Sequence, residues 1–239
     1  MLANASIKFD LSMLAKGLGA EVRGGTDYSS AFRDIYYPST VYFAQSQKGI
    51  AAKSWNRQAS YLNENLITYQ AQFGKHSINA VGGLTLQSFK YSNGQAVVSG
   101  FVNDVLEDNS TGSASLVVGI PSSGSNSSTQ VSWLGRLNYS FGSRYLLTFT
   151  GRADGSSKFG VNNKWGFFPS VAAAWRVSEE SFMKNVSWLN NLKIRASYGT
   201  TGNQGFSNYA SLASLGQFSY NFSGAKSVGF ALTKFPMPT

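Results

Sequence analysis

The sequence predicts an all-β fold of the antiparallel transmembrane β-barrel class. Three observations support this prediction: apolar and polar residues alternate in eight segments, the connections alternate between short and long, and aromatic residues gather near the short connections. No stretch approaches the roughly 18 consecutive apolar residues of a transmembrane helix. Membrane-spanning β-strands are shorter, and their apolar and polar residues alternate, so this criterion does not detect them.

The alternation is clearest in residues 145–154. Tyr145, Leu147 and Phe149 fall on one side, whereas Thr148, Thr150 and Arg152 fall on the other, and a period of two is the signature of a strand. Charged residues keep to the polar side, where a wet barrel interior spares them the roughly 2–4 kcal/mol that a lipid-facing Arg or Lys costs. The eight predicted strands centre on residues 5–11, 18–23, 67–73, 78–87, 133–141, 145–154, 165–177 and 192–198.

The connections between these strands predict which ends face which side of the membrane. Residues 12–17, 74–76 and 142–144 make short links, whereas 26–61 and 91–130 make long ones, as expected for periplasmic turns and extracellular loops. Aromatic residues suited to an interfacial girdle accompany the short links: Phe73, Tyr139, Phe141, Tyr145, Trp175 and Trp188.

The composition narrows the possible partners. The 239 residues contain no cysteine, which excludes disulfides and thiolate metal sites, and they carry a net charge of +9. Such a charge suits nucleic acid, an anionic surface or an acidic ligand. Because the basic residues of the strands occupy the polar side, we interpret them as luminal or loop-borne and predict no nucleic-acid partner.

Two connections have local features of their own. Residues 122–129, rich in Ser and Asn, are expected to form a mobile, solvated loop. Residues 178–185 predict a short helix that Ser178 caps and whose positive end Glu179 and Glu180 complement.

The loops offer few candidates for chemistry. Tyr36, Tyr37 and Tyr42 could stack on sugars or belong to a girdle, and both interpretations stay open. His76 is expected to be solvated in its turn. The acidic group Asp104, Glu107 and Asp108 lacks the spacing of a calcium loop, so a solvated loop is the default and a weak cation site the alternative. We predict no catalytic, cofactor-binding or metal-binding residue and no cofactor, and we assign no substrate-binding residue.

A series of short blocks between Leu134 and Tyr209 resembles a known family. In their order and spacing, the blocks resemble the barrel of the SusC/RagA family of TonB-linked (TonB-dependent) outer-membrane proteins. They are Leu134-Gly-Arg-Leu-Asn-Tyr, Arg144-Tyr-Leu-Leu-Thr, Arg152-Ala-Asp-Gly-Ser-Ser-Lys-Phe-Gly, Trp165-Gly-Phe-Phe-Pro-Ser-Val-Ala-Ala-Ala-Trp-Arg, Ser178-Glu-Glu-Ser-Phe-Met, Leu192-Lys-Ile-Arg-Ala-Ser-Tyr-Gly and Thr201-Gly-Asn.

The resemblance implies a function and partners. Members import glycans or peptides across the outer membrane, are driven by the TonB complex, work with a SusD-like surface lipoprotein and are not enzymes. Here we find no signal peptide, plug domain, TonB-contacting box or closing strand. We therefore expect residues 1–239 to be part of the barrel domain, about eight or nine strands of a barrel of roughly 22, with residues 235–239 in an extracellular loop.

Two other functions remain open from the sequence alone. A small eight-stranded barrel with a structural or adhesive role would have an interior just filled by side chains. A soluble carbohydrate-binding β-sandwich would also show alternating strands.

Overall fold

The computed structural model describes residues 1–160, 162–183, 186, 188–203, 205, 207–222 and 224–235. These residues form mainly antiparallel β-strands, which confirms the predicted fold class. None of the helices in these ranges is long and apolar enough to cross a membrane. The helical elements are one four-residue α-helix, α1 (Tyr42–Gln45), and short 3-10 turns.

Eleven strands are seen within the described residues. Eight of them form one sheet in the order β1-β2-β3-β4-β6-β7-β8-β9, β5 pairs with β4, and β10 and β11 form a separate hairpin. Their bounds are β1 Leu2–Asp10, β2 Leu18–Tyr37, β3 Ile50–Phe73, β4 His76–Ser99, β5 Leu116–Val117, β6 Ser122–Phe141, β7 Tyr145–Ser156, β8 Trp165–Arg176, β9 Lys193–Gly199, β10 Ser214–Phe222 and β11 Ala225–Lys234.

The chain divides into two compact units, each built mostly from strands. The first, here called the loop unit, contains α1 and β5 and consists of Met1–Ala3, Gly25–Tyr61 and Ser88–Ser127. The second, here called the sheet unit, contains β7 to β11 and consists of Asn4–Gly24, Leu62–Gln87 and Ser128–Thr239.

The register of β6 to β9 confirms the predicted alternation in the sheet unit. Leu137 of β6 lies opposite Phe149 of β7, which in turn lies opposite Val171 of β8. Val171 is paired with Tyr198 of β9. Apolar residues therefore share one side of the sheet along all four strands, because side chains directly opposite in an antiparallel pair point the same way.

The turn between β6 and β7 shows why so short a link suffices. Gly142 and Ser143 both have positive φ, at 56° and 58°, and Arg144 N–H donates to the carbonyl of Phe141. Two central residues with positive φ make a type I′ turn, whose twist matches that of the flanking strands. Such a turn joins antiparallel neighbours directly.

The predicted long loops are too long. Strand β2 continues to Tyr37 and β3 begins at Ile50, so much of 26–61 is strand, and β4 and β6 likewise shorten the connection predicted at 91–130. The prediction of a mobile loop at 122–129 is wrong, since β6 begins at Ser122. These residues show no alternation, but their backbone N–H and C=O groups pair in the sheet, so tertiary context overrides composition.

The predicted helix at 178–185 is replaced by two 3-10 turns, Val177–Glu179 and Ser181–Met183. The residue that precedes the first turn is Arg176, so Ser178 lies inside the turn and does not cap a helix. Residues 184 and 185 lie outside the described part of the chain. The hairpin of β10 and β11 was not predicted, and of the loop expected at 235–239 only Phe235 is described.

Candidate functional site

The sheet unit carries a broad apolar face, here defined as the side of β6 to β9 that holds Leu137, Phe149 and Val171. Its large side chains are exposed rather than covered; Phe167 and Tyr198 keep 67% and 77% of their accessible surface. Soluble monomers seldom expose a contiguous apolar surface of more than a few hundred Å². The other exposed members are Trp133, Phe141, Tyr145, Leu147, Trp165, Trp175 and Ile194.

Aromatic rings with polar partners lie at the end of this face near the β6–β7 turn. The rings of Phe141 and Tyr145 stack with centroids 6.4 Å apart. The Tyr139 hydroxyl lies 2.7 Å from Nδ1 of His76, and the His76 ring also contacts Phe141. Rings that are apolar in body and polar at the tip suit a membrane–water interface. This arrangement supports the girdle for Tyr139, Phe141 and Tyr145, and it gives exposed His76 a partner that sequence reasoning missed.

Glu180 organises the turn that follows β8. Its carboxylate accepts hydrogen bonds from Arg144 Nη1 at 2.8 Å, from the Tyr145 hydroxyl at 2.6 Å and from Trp175 Nε1 at 3.1 Å. The residue is buried, and the bond from Tyr145, followed by those from Trp175 and Arg144, lowers the pKa of Glu180. The carboxylate thus fixes two girdle rings by their polar tips.

The polar face is the opposite side of β6 to β9, and it carries ion pairs and free cations. Arg152 Nε donates to the nearly buried Asp154 at 2.7 Å, and Arg152 Nη2 lies 3.3 Å from Ser132 Oγ. Other cations of this face have no carboxylate within 4.0 Å among the described residues; they are Arg136, Arg176, Lys193 and Arg195. The face therefore has a positive surplus.

A second polar cluster of the sheet unit pairs one arginine with two carboxylates. Arg23, in β2, donates to Glu21 at 2.8 Å and to Glu64 of β3 at 3.2 Å. Asn63 Nδ2 additionally donates to the carbonyl of Arg23. Here the cation has carboxylate partners, unlike the cations near β9.

The three tyrosines considered for sugar stacking differ in their environments within the loop unit. The Tyr36 hydroxyl donates to Asp104 at 2.5 Å, and its ring packs edge-on against Phe101. Tyr37 packs against Phe43 with centroids 4.9 Å apart. Tyr42, at the start of α1, is 93% exposed. Tyr42 thus presents most surface for stacking, whereas Tyr36 is already engaged.

Burial and the bond to Asp104 raise the pKa of Tyr36 to about 12. The carboxylate of Asp104 also accepts from Ser39 Oγ at 2.7 Å and from the Ser39 N–H, and these bonds together with that from Tyr36 lower the pKa of Asp104. The cluster borders a cavity of about 440 Å³, lined among others by Lys48, Asn103 and Asp104.

The acidic group Asp104, Glu107 and Asp108 does not converge on one point. Asp104 binds Ser39 and Tyr36, whereas Asp108 accepts from Lys53 at 3.0 Å. Within the described ranges, no three His, Asp or Glu side chains come together in a way that would hold a metal ion. The carboxylates of the loop unit serve hydrogen bonds and ion pairs instead.

Comparison of the sequence with known protein families gives a match over most of the chain. The model of the family "TonB dependent receptor-like, beta-barrel" matches residues 3–230. The chain belongs to this family. TonB-dependent receptors are transporters rather than enzymes, as predicted from the resemblance.

Relatives and a solved structure agree with this TonB-dependent receptor barrel. The chain is 38% identical over 221 residues to TonB-dependent receptor P3 of Formosa agariphila, covering 91% of this chain and 22% of that receptor. It is 55% identical over 76 residues to TonB-dependent receptor SusC of Bacteroides thetaiotaomicron, covering 32% of this chain and 8% of SusC. The structure of the RagAB peptide transporter superposes with a TM-score of 0.88 at 24% identity, covering 99% of this chain and 26% of that chain. The predicted SusC/RagA relationship is confirmed; the chain spans about a fifth of the length of the first relative.

Proposed function

We propose that this chain forms part of the barrel of a TonB-dependent outer-membrane importer of glycans or peptides. The observation that carries the proposal is the two-sided sheet: a face of exposed apolar and aromatic side chains backs a face of Arg, Lys, Ser, Thr and Asn. The first suits lipid and the second suits a wet passage.

The partners belong to the same proposal. Membership in the TonB-dependent receptor family supports coupling to the TonB complex, and the likeness to SusC and to the RagAB structure supports a SusD-like surface lipoprotein as the second partner. Glycan and peptide both stay in the proposal.

The test is uptake by cells that carry the complete receptor gene encoding this chain. Labelled oligosaccharides and labelled peptides of matched mass are offered to wild-type cells, to cells lacking the receptor and to cells lacking TonB. We expect one class of cargo to enter only the wild type. Uptake that is equal in all three strains, for both classes, would refute import by this receptor.

A further inference from the structure

The polar face of β7 to β9 contains a depression of about 320 Å³ whose chemistry the fold does not explain. Ala172 and Ala174 form its floor, where larger side chains would fill it. Leu146 and Thr148 of β7 border one side, and Lys193, Arg195 and Ser197 of β9 border the other. The register places these strands as direct neighbours, with Ala174 opposite Arg195 and Ala172 opposite Ser197.

The charges around this depression, here called the cationic pocket, are unbalanced. Arg176 of β8 lies directly opposite Lys193 of β9, and like charges at opposed positions of an antiparallel pair repel. Arg195 adds a third cation one row along the same strand. In the described part of the chain, none of the three has a carboxylate within 4.0 Å.

The nearby acidic groups are committed elsewhere or lie apart. Asp154 is paired with Arg152, and Glu180 is paired with Arg144. Glu179 is exposed in the turn after β8 and makes no ion pair with a described residue. The repulsion within the cationic pocket is therefore not relieved by the described side chains, and an anion from outside them would relieve it.

We propose that the cationic pocket binds a carboxylate of the imported cargo. This inference rests on the proposed import function and adds a preference for acidic glycans or acidic peptides. Lys193 and Arg195 supply charge, the Ser197 hydroxyl supplies a hydrogen bond, and the alanine floor leaves room for the group. A neutral cargo of the same size gains none of the charge-assisted bonds.

The first test measures the charge of the pocket in the complete, detergent-purified receptor. Since these 239 residues contain no cysteine, Ser197→Cys introduces a thiol at the pocket and Ser6→Cys a matched thiol on β1, near Glu21, whose charge Arg23 and Lys8 offset. Each thiol is treated with an anionic and a cationic methanethiosulfonate of similar size. We expect the anionic-to-cationic rate ratio at position 197 to exceed that at position 6 by on the order of tenfold.

Variants and salt decide whether the named cations cause the effect. Arg195→Gln or Lys193→Gln should lower the rate ratio at position 197 toward that at position 6, and added salt should do the same. A ratio at position 197 equal to that at position 6 overturns the proposal. So does a thiol at 197 that neither reagent reaches while the thiol at 6 reacts, because another part of the receptor then fills the pocket.

The second test determines which class of cargo binds at the cationic pocket. Oligogalacturonate and a glutamate peptide are compared with their neutral counterparts, the methyl-esterified oligogalacturonide and a glutamine peptide, as protectants of the thiol at 197. We expect one acidic probe to slow labelling at least severalfold and its neutral counterpart to leave it unchanged. Protection by none of the acidic probes overturns the proposal. Because labelling needs no transport, its outcome is separate from that of the uptake experiment.

Discussion

The hydroxyl of Tyr36 illustrates how the loop unit uses a residue that the sequence offers for ligand binding. Its ionisation is opposed by burial and by the hydrogen bond to Asp104, so the pKa of Tyr36 rises to about 12 from the ordinary value of about 10. The neutral form is thus the one that the fold favours. Stability from this group is complete below about pH 10 and is lost as the pH rises through about 12.

Ultraviolet titration of the complete receptor in detergent measures this directly. We expect the wild type minus the Tyr36→Phe variant to show one tyrosinate absorption with a midpoint near pH 12. Asp104→Asn provides the comparison, because it removes the negative charge beside the hydroxyl and should lower the midpoint of Tyr36. A midpoint that Asp104→Asn leaves unchanged would contradict the Tyr36–Asp104 bond.

A second prediction about a single side chain concerns Glu180. Replacing it with Ala removes the acceptor for Arg144, Tyr145 and Trp175 at once, whereas Gln keeps an acceptor oxygen but loses the charge. The unfolding temperature of the barrel can be measured from the heat-dependent shift in its electrophoretic mobility. We expect this temperature to fall for Glu180→Ala and to fall less for Glu180→Gln. Glu179→Ala, on the exposed neighbour, should leave it unchanged.

The depressed pKa of Glu180 gives this prediction a pH dependence. Stability from the carboxylate is present above its unfolded pKa of about 4.3 and is lost as the pH falls through the lower folded value. The difference between wild type and Glu180→Ala should therefore shrink in strong acid. A difference that stays constant down to pH 2 would contradict the hydrogen-bonded carboxylate.

The strands from β6 to β9 are the part of the fold that the sequence predicts best. Alternation in residues 133–154 is strict because one face is apolar throughout, and the observed register keeps that face intact. Residues 122–129 show no alternation of apolar and polar side chains. They form a strand only because they pair with another part of the chain, and a local sequence pattern cannot report such pairing. The sequence does not predict the Glu180 cluster for the same reason, since its donors Arg144 and Trp175 come from separate segments.

The two faces of β7 should respond to the same substitution with losses of very different size. Phe149 lies between Leu137 and Val171 on the apolar face, whereas its neighbour Thr150 lies between Arg136 and Ser170 on the polar face. We expect Phe149→Arg to cost about 2–4 kcal/mol in the membrane, as a lipid-facing charge does, and Thr150→Arg far less. Urea-induced unfolding of the complete receptor in lipid vesicles measures both. Equal losses for the two variants would refute the assignment of the faces.

Two features of the described sheet are unfavourable in water. Its apolar face exposes large side chains such as Phe149, Phe167 and Tyr198, and its outer strands β1 and β9 each have one neighbour in the part of the chain described. Exposed apolar surface drives association, and a strand edge with open N–H and C=O groups templates further pairing. We therefore expect residues 1–239, expressed alone, to associate in buffer and to disperse when detergent covers the apolar face.

Light scattering during size-exclusion chromatography, with and without detergent, decides between these states. A variant with Lys in place of Phe149 and Phe167 should associate less in buffer, because each charge interrupts the apolar face, whereas Lys in place of Thr148 and Thr150, on the polar face, should change little. A folded, monodisperse monomer of residues 1–239 in detergent-free buffer would contradict the lipid-contact role of that face. It would favour instead a soluble β-protein, for which the exposed aromatic rings would then need another partner.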